Sequence, residues 1–365
     1  MTEKDFWIAL NIVPGLGKTL FYRLLKFFGT VEVIFKAKEK DLRQVDGIGE
    51  NLARAILGFN LSRESEKEKN FIRNNNVKVL TSVEEEYPEN LKNIFDPPPV
   101  IYIQGDIIGR DLASIAVVGT RSPSHYGKLV AEKISGALAE KGITVVSGMA
   151  RGVDSVAHKG AMDSGGRTIA VFGCGLSIIY PPENVRLRNR IIEQGAVVSE
   201  FPMSRKPDRG NFPARNRIIS GLSLGTLVIE AGEKSGALIT TQFALDQGRD
   251  VFAVPGNINN PKSKGPNLLI KKGAKLVEKV EDIIDELPFY IKNTFLKEKE
   301  TAVRKKAALT EEEETLLSII YPEASHIDSI IEKSSNSPGK TSALLLTLEL
   351  KGVIKQLPGK MFVVF

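Results

Sequence analysis

Cysteine is almost missing from this chain: Cys174 is the only one in 365 residues. A lone thiol excludes an internal disulfide and any zinc site built on several cysteines. Histidine is scarce as well, with three widely spread copies, so no metal-binding constellation can be read and no metal or other cofactor is expected. No apolar run reaches the roughly 18 residues that a membrane helix needs. The opening Met1-Thr2-Glu3-Lys4-Asp5 has no basic n-region, and the apolar piece from Phe6 to Val13 contains Asn11 and is too short for a signal. A cytoplasmic protein without membrane contact is expected. Nucleotide signatures are absent too. No Gly-x-Gly-x-x-Gly with a following ribose-binding acid occurs. Gly17-Lys18-Thr19 and Gly339-Lys340-Thr341 look like P-loop tails, but Ile12 and Ser334 stand where the first glycine is required, so ATP binding is excluded at both. No Ser–His–Asp or Cys–His arrangement suggests itself, and Cys174, between two glycines, reads as a small buried residue.

What is present is ordinary for a folded protein: 42% hydrophobic and 26% charged residues, enough chain for two or three domains, and a net charge of +6. A mild basic excess is compatible with nucleic acid without showing it. Residues 1–80 read as helical. Val13-Pro14-Gly15-Leu16-Gly17-Lys18 recurs 32 positions later as Val45-Asp46-Gly47-Ile48-Gly49-Glu50, each followed by an amphipathic run. This is a helix-hairpin-helix pattern, in which glycines permit the turn and leave N–H groups free at a helix start. The same spacing also serves a plain helix-connecting or protein-contact module. Residues 81–110 form a Pro-rich connector, with Asp96-Pro97-Pro98-Pro99 ahead of Val100–Gly105, a plausible edge strand.

Residues 111–288 alternate short β-rich runs with helical patterns, the mark of βαβ units and a parallel sheet. Ile115–Val118, Ile143–Val146, Thr168–Phe172, Ala196–Ser199, Gly225–Glu230 and Val251–Val254 read as strands, with Ala274–Val277 as a further candidate. Ligands of such sheets sit at the carboxyl ends of the strands. The first run ends in Gly119-Thr120-Arg121-Ser122-Pro123, where Ser122 can cap the next helix, Pro123 suits its first turn, and Thr120 and Arg121 project near a helix N-terminus that attracts anions. The second ends in Gly148 and Arg151-Gly152, glycines that allow close approach beside a second arginine. Asp154 can cap its helix or accept a ligand hydroxyl. His158, four residues on, shares its face, where a structural hydrogen bond is commoner than acid–base work. Phe212, Arg215, Asn216 and Arg217 form the most basic short stretch that carries an aromatic; arginine pairs with phosphate and a ring can stack a base. Ser235 and Gly236 open another helix and offer a hydroxyl and N–H groups to an anion, with Lys234 beside them.

Residues 289–308 are a charged linker. In residues 309–365, helical patterns around Glu311–Ile320, His326–Ile331 and Thr341–Lys351 precede a hairpin, the winged-helix order. Five lysines face eight acids there, so the segment is about −3 and a poor phosphate binder; a protein-contact or regulatory role is favoured. The fold class is therefore α/β: an extended Rossmann-like parallel-sheet domain with an N-terminal helical (helix-hairpin-helix/SAM-like) domain and a C-terminal winged-helix domain.

Gly119-Thr120-Arg121, Ser147-Gly148-Met149-Ala150-Arg151-Gly152-Val153-Asp154 with Ala157-His158, Phe212 through Leu222, and Ser235 through Thr240 together resemble the DprA (Smf) family of DNA-processing proteins. Tyr87-Pro88, Asp96-Pro97-Pro98 and Leu268 through Gly273-Ala274 are similar to the same pattern. The resemblance implies a non-catalytic protein of bacterial natural transformation that binds single-stranded DNA, and double-stranded DNA more weakly. It implies protection of incoming strands, loading of the RecA recombinase, and a homodimer built through the Rossmann-like domain. By position, its strand pocket falls on Arg121, Arg151, Phe212, Arg215, Asn216 and Arg217, with Ser235 and Gly236 nearby. A rival reading is enzymatic: Gly225–Glu230 looks distantly like an element of the lysine-decarboxylase-like phosphoribohydrolases, with Glu230 and Arg215 as the candidates to act on a nucleoside monophosphate. A third is an adaptor whose α/β domain binds no ligand.

Overall fold

Runs of β-branched residues become buried strands here, and the glycines between them become turns. The computed structural model describes residues 1–288, 291, 309–320, 325–334, 336–351 and 353–364. Two compact units result, Met1–Glu286 and Leu287–Phe365.

The first unit begins with helices α1 (Glu3–Ile12), α2 (Lys18–Phe28), α3 (Val31–Lys36), α4 (Glu39–Leu42), α5 (Glu50–Leu57) and α6 (Leu61–Asn74). Thr2 and Asp5 close a capping box at the start of α1. The repeated glycines do matching work. Gly15 and Gly47 hold φ of +83° and +88°, a region L side chains rarely adopt. Each also faces the other repeat: Leu52 packs against Gly15 and Leu20 against Gly47. The apolar faces of these helices, with Trp7, Phe21, Leu24 and Ile56, join one cluster with Val79, Tyr102 and Val197 of the sheet. The helical segment is thus continuous with the core of the sheet.

The sheet contains β1 (Lys78–Thr81), β2 (Val100–Gly105), β3 (Ser114–Val118), β4 (Thr144–Ser147), β5 (Thr168–Val171), β6 (Ala196–Ser199), β7 (Gly225–Val228), β8 (Asp250–Ala253) and β9 (Lys275–Leu276). Between them run α7 (Glu89–Lys92), α8 (His125–Glu140), α9 (Val153–Asp163), α10 (Val185–Gln194), α11 (Asn211–Gly221), α12 (Gly236–Asp246) and α13 (Lys264–Lys271), with α14 (Glu281–Ile284) closing the unit. The strand order is β1-β2-β6-β5-β4-β3-β7-β8-β9. From β6 to β9 every neighbour is parallel, with Ala116 of β3 opposite Val146 of β4 and Thr226 of β7. Strands buried on both faces read as continuous apolar runs, and every residue of β3 is buried. The chain walks from β3 through β4 and β5 to β6, then crosses to β7 on the other side of β3. That reversal opens a crevice beyond the carboxyl ends of β3 and β7, the place where such sheets hold ligands.

Two expectations differ. The stretch read as connector supplies an interior strand, because β2 lies antiparallel between β6 and β1. The edge is taken by Lys78–Thr81, the end of the stretch read as helical. Single-sequence patterning shows that a run is extended, not which neighbour it pairs with.

The second unit has helices Glu311–Ile320, Ile327–Ser334 and Pro338–Leu350, then strands Ile354–Leu357 and Met361–Val364, with Ser325–His326 pairing onto the latter. Leu316, Leu317, Ile330, Leu345, Leu348 and Phe362 form its core. This is the winged-helix order expected. The charged linker lies outside the described residues apart from Ile291. Among the described residues no helix is long and apolar enough to cross a membrane.

Candidate nucleic-acid interface

An open cleft of about 850 Å³ occupies the crevice. The end of β3 contributes Gly119, Thr120 and Arg121, α11 contributes Phe212, Arg215 and Asn216, and the start of α12 contributes Ser235 and Gly236. A smaller pocket beside it brings Gly148 and Arg151 to Arg121, Phe212 and Arg215. Apart from Arg217, every residue expected from the sequence is therefore gathered along this rim.

The guanidinium of exposed Arg121 lies 5.7 Å from the centre of the Phe212 ring, within cation–π range. The Tyr180 ring is 5.4 Å from the same ring, tilted by 37°. Phe212 fits because position 173 is glycine: a Cβ there would stand 2.8 Å from the ring. The Ser235 side chain accepts from the Ala237 N–H and caps α12. A Cβ at Gly236 would meet open space, so the backbone at this helix start is accessible from the cleft. Asn216 Nδ2 donates to the Gly236 carbonyl at 3.3 Å and ties the two helix starts together.

Arg215 is buried below this rim. Its Nη1 donates to the carbonyls of Gly148, at 2.8 Å, and Val171, and its Nε donates to Asn216 Oδ1 at 3.2 Å. A Cβ at position 148 would lie 2.7 Å from the guanidinium, so only glycine lets it pass. Burial lowers its pKa to about 10, against the opposing pull of Asp154. Burial raises the Asp154 carboxyl to about 6, with Arg215 pulling the other way. Asp154 accepts from the Ala150 N–H at 3.3 Å, while Gly152 is the cap of α9. The expected Asp154–His158 pairing is replaced. His158 Nδ1 meets Thr168 Oγ1 at 2.6 Å, and that hydroxyl donates to the Val145 carbonyl. The imidazole must then donate from Nδ1. Burial, with Arg215 nearby, depresses its pKa to about 3, so it stays neutral. Cys174 is buried as expected, its thiol pushed up to about 11.

Two arginines are already engaged. Arg151 is exposed and pairs with Glu183 through Nε, at 2.5 Å, and Nη2. Arg217 corrects the sequence reading. It is 1% exposed and forms a fork with Glu200, at 2.7 and 2.6 Å, with Asp96 at 3.2 Å. Two positions along α11 from Arg215, its side chain leaves the cleft for a buried ion-pair junction.

Glu230 is committed as well. Its carboxylate accepts from the Ser124 N–H at 2.8 Å and the Ser124 hydroxyl at 2.5 Å, and it is 1% exposed. Ser124, and not Ser122, is the cap of α8; Ser122 instead donates its N–H to Thr120 Oγ1 at 3.3 Å. Sequence reasoning missed Tyr180 and Arg209, which line the cleft. Tyr180 carries no charge and stands far from Phe212 in the chain. Arg209 lies just outside the motif around Phe212, and its basic neighbourhood was the available signal.

The DNA recombination-mediator protein A family profile matches residues 78–288, and the DprA winged helix domain matches residues 300–360. The chain belongs to the DprA/Smf family. It is 36% identical over 396 residues to the Smf protein of Synechocystis, covering 98% of each chain. Among solved structures, DprA of Streptococcus pneumoniae superposes with a TM-score of 0.70 at 34% identity, over 79% of this chain and 99% of that one. Helicobacter pylori DprA, whose structure is described for its single-stranded DNA binding mode, gives 0.51 at 31% identity, over 61% and 96%.

Proposed function

We propose that this chain is a non-catalytic single-stranded DNA-binding protein that holds a strand along the carboxyl-end rim of its sheet. The observation that carries this reading is the Arg121–Phe212–Tyr180 group at the mouth of the cleft, where a guanidinium and two rings stand together beside the helix start at Ser235. Cations hold phosphates and rings stack bases without reading sequence. The single-strand binding named for the H. pylori relative supports it. On this reading the protein shelters incoming strands in the cytoplasm and loads RecA recombinase onto them during natural transformation and recombination. It works as a homodimer through the Rossmann-like domain and holds duplex more weakly. Its acidic winged helix serves protein contact or regulation.

The phosphoribohydrolase reading loses support, because the Glu230 carboxylate is spent on the start of α8 and Arg215 on main-chain carbonyls. The test is a binding titration of single and double strands at two salt concentrations, with wild type and Arg121→Ala side by side. Affinity for single strands should exceed that for duplex and fall with salt at a slope of about −0.7 per phosphate contact. Arg121→Ala should weaken binding across all sequences. Unchanged affinity in that variant would reject the site.

A further inference from the structure

We propose a second strand-binding segment, contiguous with the cleft and built between α5–α6 and the loop from Pro202 to Asp208. This rests on the strand-binding reading above and extends it to a surface outside the sheet rim. The groove there encloses about 1060 Å³ and is lined by Arg54, Phe59, Lys67, Phe71, Arg205 and Lys206. Its loop runs directly into Arg209, which lines the first cleft. From Arg205 to Arg209 the chain spans at most about 14 Å even fully extended, so the two sites share one short basic bridge.

The loop is fixed while its cations are not engaged. The Met203 N–H donates to buried Glu68 at 2.7 Å, the Arg205 carbonyl accepts from Gly175 N–H at 2.8 Å, and the Ser177 hydroxyl donates to the Met203 carbonyl. Arg205, Lys206 and Arg209 are exposed, and among the described residues none has a carboxylate partner. Arg54 and Lys67 sit in solvent-exposed same-helix pairs with Glu50 and Glu64, which a phosphate can displace at little cost. Of the remaining acids, Asp208 accepts from the Gly210 N–H at 2.8 Å, and burial raises the Glu68 pKa. Phe71 is 41% exposed at the groove, a ring with no evident duty in the core. Unpaired cations on a rigid loop, with an exposed ring opposite, repeat the chemistry of the first cleft. The occupant that fits both is one continuous single strand.

Binding of labelled oligothymidylates of about 5 and about 20 nucleotides to the full chain tests this, since single-strand sites of this kind span a few to about 16 nucleotides. In Arg205→Ala/Lys206→Ala, affinity for the long strand should fall about tenfold or more. Its salt slope should shrink by about 1.4, two contacts' worth. Affinity for the short strand should stay at the wild-type value. Phe71→Ala should likewise weaken only the long strand. Wild-type affinity and slope for the long strand in the double variant, with Arg121→Ala still weakening both lengths, would overturn the second segment and leave the cleft intact. Equal weakening of both lengths in the double variant would overturn it too. No effect of Arg121→Ala at either length would remove the cleft reading itself.

Discussion

Helix α11 has two faces that use the same kind of residue to opposite ends. On one, Phe212 and Asn216 meet a cleft, with Arg215 beneath it and Arg121 above the ring. On the other, Arg217 is sealed against Glu200 and Asp96, and Lys18 reaches Asp96 from the helical segment. The difference is the supply of carboxylates. Where two acids converge on Arg217, the guanidinium locks elements together; on the cleft side Arg121 lies over the Phe212 ring, the group that the proposed reading gives to an incoming anion.

Removing Arg217 should break this contrast most severely. Arg217→Ala leaves the mostly buried Glu200 carboxylate without its fork and should cost up to about 3–5 kcal/mol of stability, read by denaturant unfolding. Strand affinity per folded molecule should hardly change, which separates the two faces. Next comes the ring on the open face. Phe212→Ala should lose about 1–3 kcal/mol of strand binding, seen in a titration at fixed salt, with a salt slope close to wild type. A collapse in slope would mean that the ring acts by positioning Arg121.

The smallest effect is on pH. The Asp154 carboxyl titrates at about 6 in the fold against 3.8 when free, so the folded chain keeps a proton that the unfolded chain has released. The stability this supplies is fully present below pH 3.8 and is lost as pH rises through about 6. His158, at about 3 against 6.5, works in the other direction: its stabilisation is present above pH 6.5 and is lost as pH falls toward 3. Asp154→Asn removes the first effect and keeps the second. The variant should melt higher than wild type at pH 7. It should also lose about 1–2 kcal/mol more than wild type between pH 6 and pH 4, as thermal scans across that range would show.

Much of this was legible in the residues. Alternating apolar runs ending in glycine located the parallel strands, and the repeat at Gly15 and Gly47 located the paired hairpins. Gly119-Thr120-Arg121 and Ser235-Gly236 marked the rim because strand ends and helix starts are local features. Lys78–Thr81 was not legible, since a four-residue edge strand with one exposed position carries almost no periodicity. Nor was the fate of Arg217, whose partners Glu200 and Asp96 come from distant parts of the chain. Tyr180 was invisible for the same reason: its meeting with Phe212 is made by the fold.

Arg215 has one more effect on how a ligand is received. Its guanidinium is already desolvated and clamped to two main-chain carbonyls before any strand arrives. The group is thus held in place beside Asp154, and an approaching anion need not freeze a flexible side chain to meet it. On the proposed strand-binding reading, this fixed group adds to binding without an ordering cost, and exposed Arg121 supplies the contact that must order on arrival.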